Sequence, residues 1–327
     1  YPHPQTLIAP GTGNGGRSPP IHRAARLGDG EAIRELVGGG ADVNAHFDIG
    51  LDPCARPQPA TPLMVAAGSG DGASVETVSL LLELGADPKV VVCGESAATF
   101  ACAGLGWNYK PGGDDERLRR LLRAGSPLPT DPEAASNVLC AAAGAGDAAR
   151  VRVLLDHGLS ARGHWDPVKA RESHRFSMEQ MSRYRADNPD MFASMPEELR
   201  ASMAATSKKL ELEMFESMSS APWSYEIPLF RAAESGNVEC VRLLLEAGAD
   251  ANVRDNSART AMYYTGSTEV VQLLRKAGLA LEDTDKYGSS PLVDAVSDGE
   301  HVLPRIRSLI EAGANVNATH DQGYTVF

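Results

Sequence analysis

The sequence predicts an all-α solenoid of short helix-turn-helix repeats with finger loops, interrupted once by a helical-hairpin insertion. Three observations predict it. One apolar pattern recurs in phase along the chain, a pair of small residues falls at a fixed place in many copies, and a Gly follows each second apolar run. The clearest copy runs from Ile227 to Asn252. Further copies begin near Pro19, Thr61, Ala97, Asn137, Thr260 and Ser290, and Thr325-Val326-Phe327 matches the start of an eighth.

Each element of the copy has a physical reason. Pro at the first helical position costs little, because its missing N–H lacks an intrahelical partner there anyway. Thr61, ahead of Pro62, can cap its helix with the hydroxyl. The pairs Ala66-Ala67, Ala142-Ala143 and Ala232-Ala233 let neighbouring first helices approach closely. Leu81-Leu82, Leu121-Leu122, Leu154-Leu155, Leu244-Leu245 and Leu273-Leu274 fill the second-helix layer. The Gly after each second helix supplies a left-handed C-terminal cap.

These features together resemble the ankyrin repeat: a TPLH-like opening, an Ala-Ala pair, a Gly between two helices, then VxxLLxxGADxN. The closing signature stands as Gly40-Ala41-Asp42-Val43-Asn44, Gly85-Ala86-Asp87-Pro88, Gly248-Ala249-Asp250-Ala251-Asn252 and Gly313-Ala314-Asn315-Val316-Asn317. Gly125-Ser126, Gly158-Leu159-Ser160 and Gly278-Leu279 are worn versions, and the His of the opening survives only as His22. The resemblance spans roughly four-fifths of the chain and implies about seven repeats plus a partial eighth. It implies a non-enzymatic protein–protein interaction scaffold, with partners docking on finger tips and first-helix surfaces.

Departures from the period divide the chain. Residues 1–17 are a flexible Gly/Pro-rich segment, 18–163 hold repeats one to four, 164–224 are a Met-rich insertion, and 225–327 hold repeats five to seven and the start of the eighth. The first finger is extended from Ile49 through Pro57. The third repeat carries Trp107 and Tyr109 in its inter-helix turn, and the sixth has lost about a turn of its first helix. Within the insertion, Asp166-Pro167 opens one helix and Ser194-Met195-Pro196-Glu197 a second, giving two antiparallel helices. The insertion holds Met178, Met181, Met191, Met195, Met203, Met214 and Met218. Such flexible side chains suit either helix packing or an adaptable contact surface.

Composition narrows the partner. A formal net charge of −12 argues against nucleic acid, which is held by clustered Lys and Arg, and suits another protein with a basic surface. No run of about eighteen apolar residues is present to span a membrane. The five cysteines form no CxxC pair, so neither a zinc site nor a thioredoxin-like motif is expected. Cys102, Cys140 and Cys240 fall in apolar helical patterns, which favours a reducing, cytoplasmic setting, with the periplasm as the alternative after removal of a leader. A monomer is expected when free.

No cofactor, metal or catalytic residue is expected. Gly11-Thr12-Gly13-Asn14-Gly15-Gly16 matches GxGxxG in spelling alone, because Pro-rich sequence replaces the strand and helix that a dinucleotide site needs. The histidines show no HxxxH or HExxH spacing. Carried over from the resemblance, the finger-tip candidates are His46, Phe47, Trp165, Arg254, Asn256, Lys286 and Tyr287, with His320 and Tyr324. Trp107 and Tyr109 form a second group, and Met178, Met181, Met203 and Met214 a third on the insertion. The sharper expectation is an inhibitor of one dedicated partner, such as a bacterial immunity protein. The alternative is a targeting or regulatory domain of a longer, enzymatic protein.

Overall fold

The structure is a computed structural model, and it describes residues 18–51, 57–69, 75–103, 115–164, 221–222, 226–297 and 303–318. Helices come in pairs. They are α1 (Pro20–Leu27) and α2 (Gly30–Gly38), α3 (Pro62–Gly68) and α4 (Val75–Glu83), α5 (Ala97–Ala103) and α6 (Asp115–Arg123), and α7 (Pro132–Gly144) and α8 (Ala148–Asp156). After the insertion follow α9 (Pro228–Ser235) and α10 (Val238–Glu246), a 3-10 turn (Ala261–Tyr263) with α11 (Thr268–Lys276), and α12 (Pro291–Ser297) with α13 (Leu303–Glu311).

The chain forms two compact units, one of residues 2–163 with 239–249, the other of Tyr1, 164–238 and 250–327. In the first, α1, α3, α5 and α7 pack in succession, and α2, α4, α6 and α8 form a second row. The core between the rows is thin, as small residues dictate. Ala25, Ala66, Ala142, Ala143, Leu81, Leu121 and Leu154 are fully or almost fully buried. In the second unit the 3-10 turn packs against α9 on one side and α12 on the other, and α11 lies against α13. The sixth repeat has therefore lost its first helix to a single turn, as its sequence predicts.

Several helix starts are capped by side chains. Thr61 accepts from the Met64 N–H (3.3 Å), Asp29 from Ala32 (3.0 Å), Asp147 from Arg150 (3.0 Å) and Ser267 from Val270 (3.3 Å). The fourth repeat departs from expectation. Its first helix begins at Pro132 rather than near Asn137, because Asp131 caps it through the Ala134 N–H at 2.9 Å. Every described second helix ends the same way, on a Gly with φ between 87° and 102°. At Gly248, for example, the N–H bonds Leu245 O and the next N–H bonds Leu244 O. That is the left-handed cap which Gly adopts without steric cost.

The helical solenoid carries one local addition. The extended first finger is an antiparallel β-hairpin, β1 (Phe47–Leu51) with β2 (Pro57–Ala60), paired Phe47 to Ala60 at its base and irregular between Asp48 and Leu51. Two prolines in β2 disguise it as a loop, yet an edge strand tolerates Pro wherever no ladder donor is needed.

Candidate functional site

The finger tips of the fifth and sixth repeats are built alike. In the fifth, Asp255 Oδ1 accepts from the Ser257 and Arg259 N–H groups (2.8 and 2.9 Å), and the Asp255 N–H bonds Arg259 O. In the sixth, Asp285 Oδ1 accepts from Tyr287 and Ser289 (2.9 and 3.0 Å), and its N–H bonds Ser289 O. A carboxylate that gathers its own following N–H groups fixes a tight turn from within. Both aspartates are buried at the base of their turns, which leaves the tips outward.

Neighbouring tips are then stitched together. The Lys286 N–H donates to Ser257 O (2.9 Å), and Lys286 Nζ donates to Asn256 O (3.2 Å). Arg254 donates to Ala258 O (2.8 Å) and Thr284 O (3.2 Å) and pairs with Asp283 at 3.2 Å. One step upstream the Asn256 N–H donates to Pro222 O (2.9 Å), so the chain leaving the insertion occupies the place that a preceding finger would. Arg254, Asn256, Lys286 and Tyr287 thus sit on one ledge. Tyr287 is an exposed large hydrophobic side chain there, 57% exposed, with Lys286 Nζ 5.1 Å from its ring centroid. Arg254 and Lys286 hold the ledge as much as they decorate it, a dual role their sequence positions do not reveal.

Behind the ledge lies a charge network that the sequence does not announce. Arg259 pairs with Asp294 and lies 3.5 Å from Asp285, and Arg305 reaches the other Asp294 oxygen at 2.9 Å. Burial works against the Arg259 charge, but Asp294, Tyr264 and Asp285 outweigh it and raise its pKa. The guanidinium also stands 5.7 Å from the Tyr263 ring centroid. The Tyr263 hydroxyl donates to Asp283 O and Ser289 O (2.7 and 2.6 Å), while Tyr264 bonds Asp255 and stacks on Phe230. One buried carboxylate, Asp294, therefore joins the end of the fifth finger to the seventh repeat.

The first unit places His46 and Phe47 at the root of the hairpin. His46 is exposed, whereas Phe47 is half-buried, its ring 5.6 Å from that of His22. His22 is buried and its Nε2 lies 3.0 Å from Ala60 O. Further out, Asn44 ties one repeat to the next, donating to Gly85 O (3.2 Å) and accepting from the Asp87 N–H (2.8 Å). Two arginines on second helices cap first helices of the preceding repeat. Arg117 donates to Ala67 O and Ser69 O (3.2 and 2.7 Å), and Arg150, buried and paired with Asp147, donates to Cys102 O (3.4 Å). Those contacts span about fifty residues of sequence, beyond the reach of local pattern. Trp107, Tyr109, Trp165, Met178, Met181, Met203, Met214, His320 and Tyr324 lie outside the described residues.

Three of the described thiols are buried, and Cys93 is exposed. Burial pushes Cys102 and Cys240 up to about 12, and Cys140 is buried as well. Among the described residues no group of three or more His, Cys, Asp or Glu is placed to hold a metal ion, and no helix is long and apolar enough to cross a membrane.

Comparison with known proteins agrees with this geometry. The family model "Ankyrin repeats (3 copies)" matches residues 203–279 and 229–320, and the single "Ankyrin repeat" model matches 60–91. The chain carries ankyrin repeats. This ankyrin-repeat chain is similar to human ankyrin repeat and SOCS box protein 6, at 35% identity over 115 residues, covering 32% of the chain and 27% of that protein. It is also similar to serine/threonine-protein kinase 12 of Arabidopsis thaliana, at 34% identity over 73 residues, covering 21% of the chain and 16% of the kinase. The chain thus spans less than a third of these relatives. Among solved structures, the human ASB11 ankyrin repeat domain superposes with a TM-score of 0.55 at 18% identity, covering 91% of this chain and 99% of that one. At that identity the likeness establishes the fold, and the repeats mark a protein–protein interaction domain.

Proposed function

We propose that the chain docks one dedicated protein partner on its finger tips and inhibits that partner, in the manner of an immunity protein. The observation that carries the docking is the ledge of the fifth and sixth fingers. Its backbone is fixed by Asp255 and Asp285, its tips are joined by Arg254 and Lys286, and it presents Tyr287 to solvent. A surface already ordered loses little conformational entropy on binding, and an exposed Tyr is a side chain that dominates interface energetics. The net charge of −12 favours a basic partner surface, and Arg254 does not oppose it because Asp283 holds its charge. The inhibitory step rests on the Met-rich sequence of residues 164–224, which suits insertion into a cleft. The free thiols of Cys93, Cys102, Cys140 and Cys240 accord with a reducing compartment such as the cytoplasm.

The test uses three forms of the full chain: unaltered, Tyr287→Ala with Lys286→Ala, and residues 164–224 replaced by a short linker. Each is used for affinity purification from the native source. One stoichiometric partner, weakened at least tenfold by the ledge variant and inhibited only while the insertion is present, is the expected result. Micromolar binding to several unrelated partners overturns the inhibitor reading.

A second reading is favoured by the relatives, which are much longer than their matched segments. On that reading these repeats are the targeting or regulatory domain of a longer protein. The encoded full-length sequence decides between the two.

A further inference from the structure

Three positions of the sixth repeat face the seventh. A Cβ added at Gly266 would lie 3.2 Å from Pro304 Cβ. The Thr268 hydroxyl donates to the Glu311 carboxylate (2.8 Å), and Arg275 donates to Ala312 O (2.8 Å). By repeat phase the same three positions in the seventh repeat are Val296, Leu303 and Ile310. All three are exposed, at 39%, 62% and 40%. They lie on α12 and α13, on the side that a further repeat would cover.

Burial in the other repeats points the same way. Where the seventh has Val296, the others have Ala25, Ala67, Cys102, Ala143 and Ala233, none more than 2% exposed. Ile306 is half-buried, whereas its counterparts Ile33, Val78, Leu118, Val151, Val241 and Val271 are fully buried. A repeat that closes a solenoid carries a polar outer face, and this one carries Val, Leu and Ile. The finger that leaves it is internal in form as well. The Asn317 N–H bonds Asn315 Oδ1 (3.0 Å), as Asn252 bonds Asp250 and Asn44 bonds Asp42, both at 2.9 Å. Glu282 of the preceding finger accepts from the Asn315 N–H at 2.8 Å, just as Asn44 accepts from Asp87.

We infer that Val296, Leu303, Ile306 and Ile310 form a stacking face for an eighth ankyrin repeat of the same polypeptide, the one that Thr325-Val326-Phe327 opens. Phase names this occupant. Thr325 stands twelve residues after Gly313, as Thr260 stands twelve after Gly248 and Ser290 twelve after Gly278. Val326 and Phe327 then fall at the positions of Pro291 and Leu292, both buried in the seventh repeat. A contiguous apolar face gains free energy when it is covered, and a first helix in this register is what covers it between the other repeats. The inference stands apart from the docking reading, which concerns the finger tips.

The experiment compares residues 1–327 with the same chain carried on through its own encoded sequence by one repeat length, about 33 residues. Amide hydrogen exchange is read across residues 303–312 in both forms, with and without Ile310→Glu. The longer form should gain about tenfold or more in protection there. Ile310→Glu should remove that gain and leave the shorter form unchanged, because Ile310 is exposed in it; the shorter form thus also shows that the variant folds. An encoded sequence that stops at Phe327, or a continuation that leaves protection unchanged, overturns the inference. So does a dimer of the longer form, seen by sedimentation and abolished by Ile310→Glu, which would assign the face to a second copy. Loss of partner binding in Ile310→Glu with exchange unchanged assigns it to the partner and overturns the inference too. None of these results bears on Tyr287 and Lys286, so the finger-tip reading stands or falls by its own variants.

Discussion

The root of the first finger and the root of the sixth solve one problem with different chemistry. Each must tie a first-helix residue to the carbonyl just ahead of the next repeat's helix. In the first unit His22 does so, bonding Ala60 O ahead of Thr61. In the second unit Tyr263 does so, its hydroxyl bonding Ser289 O ahead of Ser290 and Asp283 O besides. Burial pushes the Tyr263 phenol up, away from any pH a cell meets, whereas burial of His22 moves it down from 6.5. The geometry is shared and the response to acid is not. An ankyrin position that looks interchangeable in sequence therefore ties its finger with an imidazole in one unit and a phenol in the other.

The sharpest way to break the comparison is to remove the carboxylate behind the Tyr263 finger. Asp294 is almost buried and bonds both Arg259 and Arg305. Asp294→Asn leaves two largely buried guanidinium groups with one carboxylate fewer, and breaking a buried ionic set by removing one partner costs roughly 3 kcal/mol or more. Exchange protection across residues 255–295 should fall by about two orders of magnitude, while residues 20–68 keep theirs, since repeat stability is nearest-neighbour in kind. An unchanged second unit would mean that Asp285 alone suffices for Arg259.

Tyr263→Phe is the next largest change. It keeps the ring beside Arg259 but removes the hydroxyl that two backbone carbonyls share. Leaving buried acceptors unsatisfied costs about 1–3 kcal/mol, and the loss should be the same at pH 7.5 and pH 5.5. A loss that varies with pH over that range would place a titrating group at this root and erase the contrast with His22.

The sequence made much of this fold legible because the repeat is local and periodic. The Ala pairs, the Gly caps, the shortened sixth repeat and the grouping of Arg254, Asn256, Lys286 and Tyr287 at adjacent tips all follow from phase. What escaped has a common cause. The hairpin β1–β2 is hidden by prolines at Pro57 and Pro59, and the early start of α7 rests on Asp131, outside the expected register. Arg117, Arg150 and the pair Arg259–Asp294 act across 35 to 51 residues, where spacing carries no signal. Such side chains reveal themselves only when the stacked backbone brings a carbonyl or a carboxylate within reach.

The smallest effect concerns the two tips of the ledge, which differ at one backbone position. Gly288 sits at φ 76°, and its counterpart in the fifth finger is Ala258 at φ 60°. Both residues close the same turn, with their N–H groups bonding Asp285 O and Asp255 O. An L-residue in the left-handed region costs roughly 1–2 kcal/mol, part of which Gly returns as lost chain entropy. Ala258→Gly should therefore stabilise the fifth finger by about 0.5–1 kcal/mol, and Gly288→Ala should weaken the sixth by a similar amount. Exchange of the Ser257 and Ala258 amides, compared with Tyr287 and Gly288, reads both changes. If Ala258→Gly instead loosens its finger, the Asp255 turn alone sets that tip and the two fingers are alike in outline only.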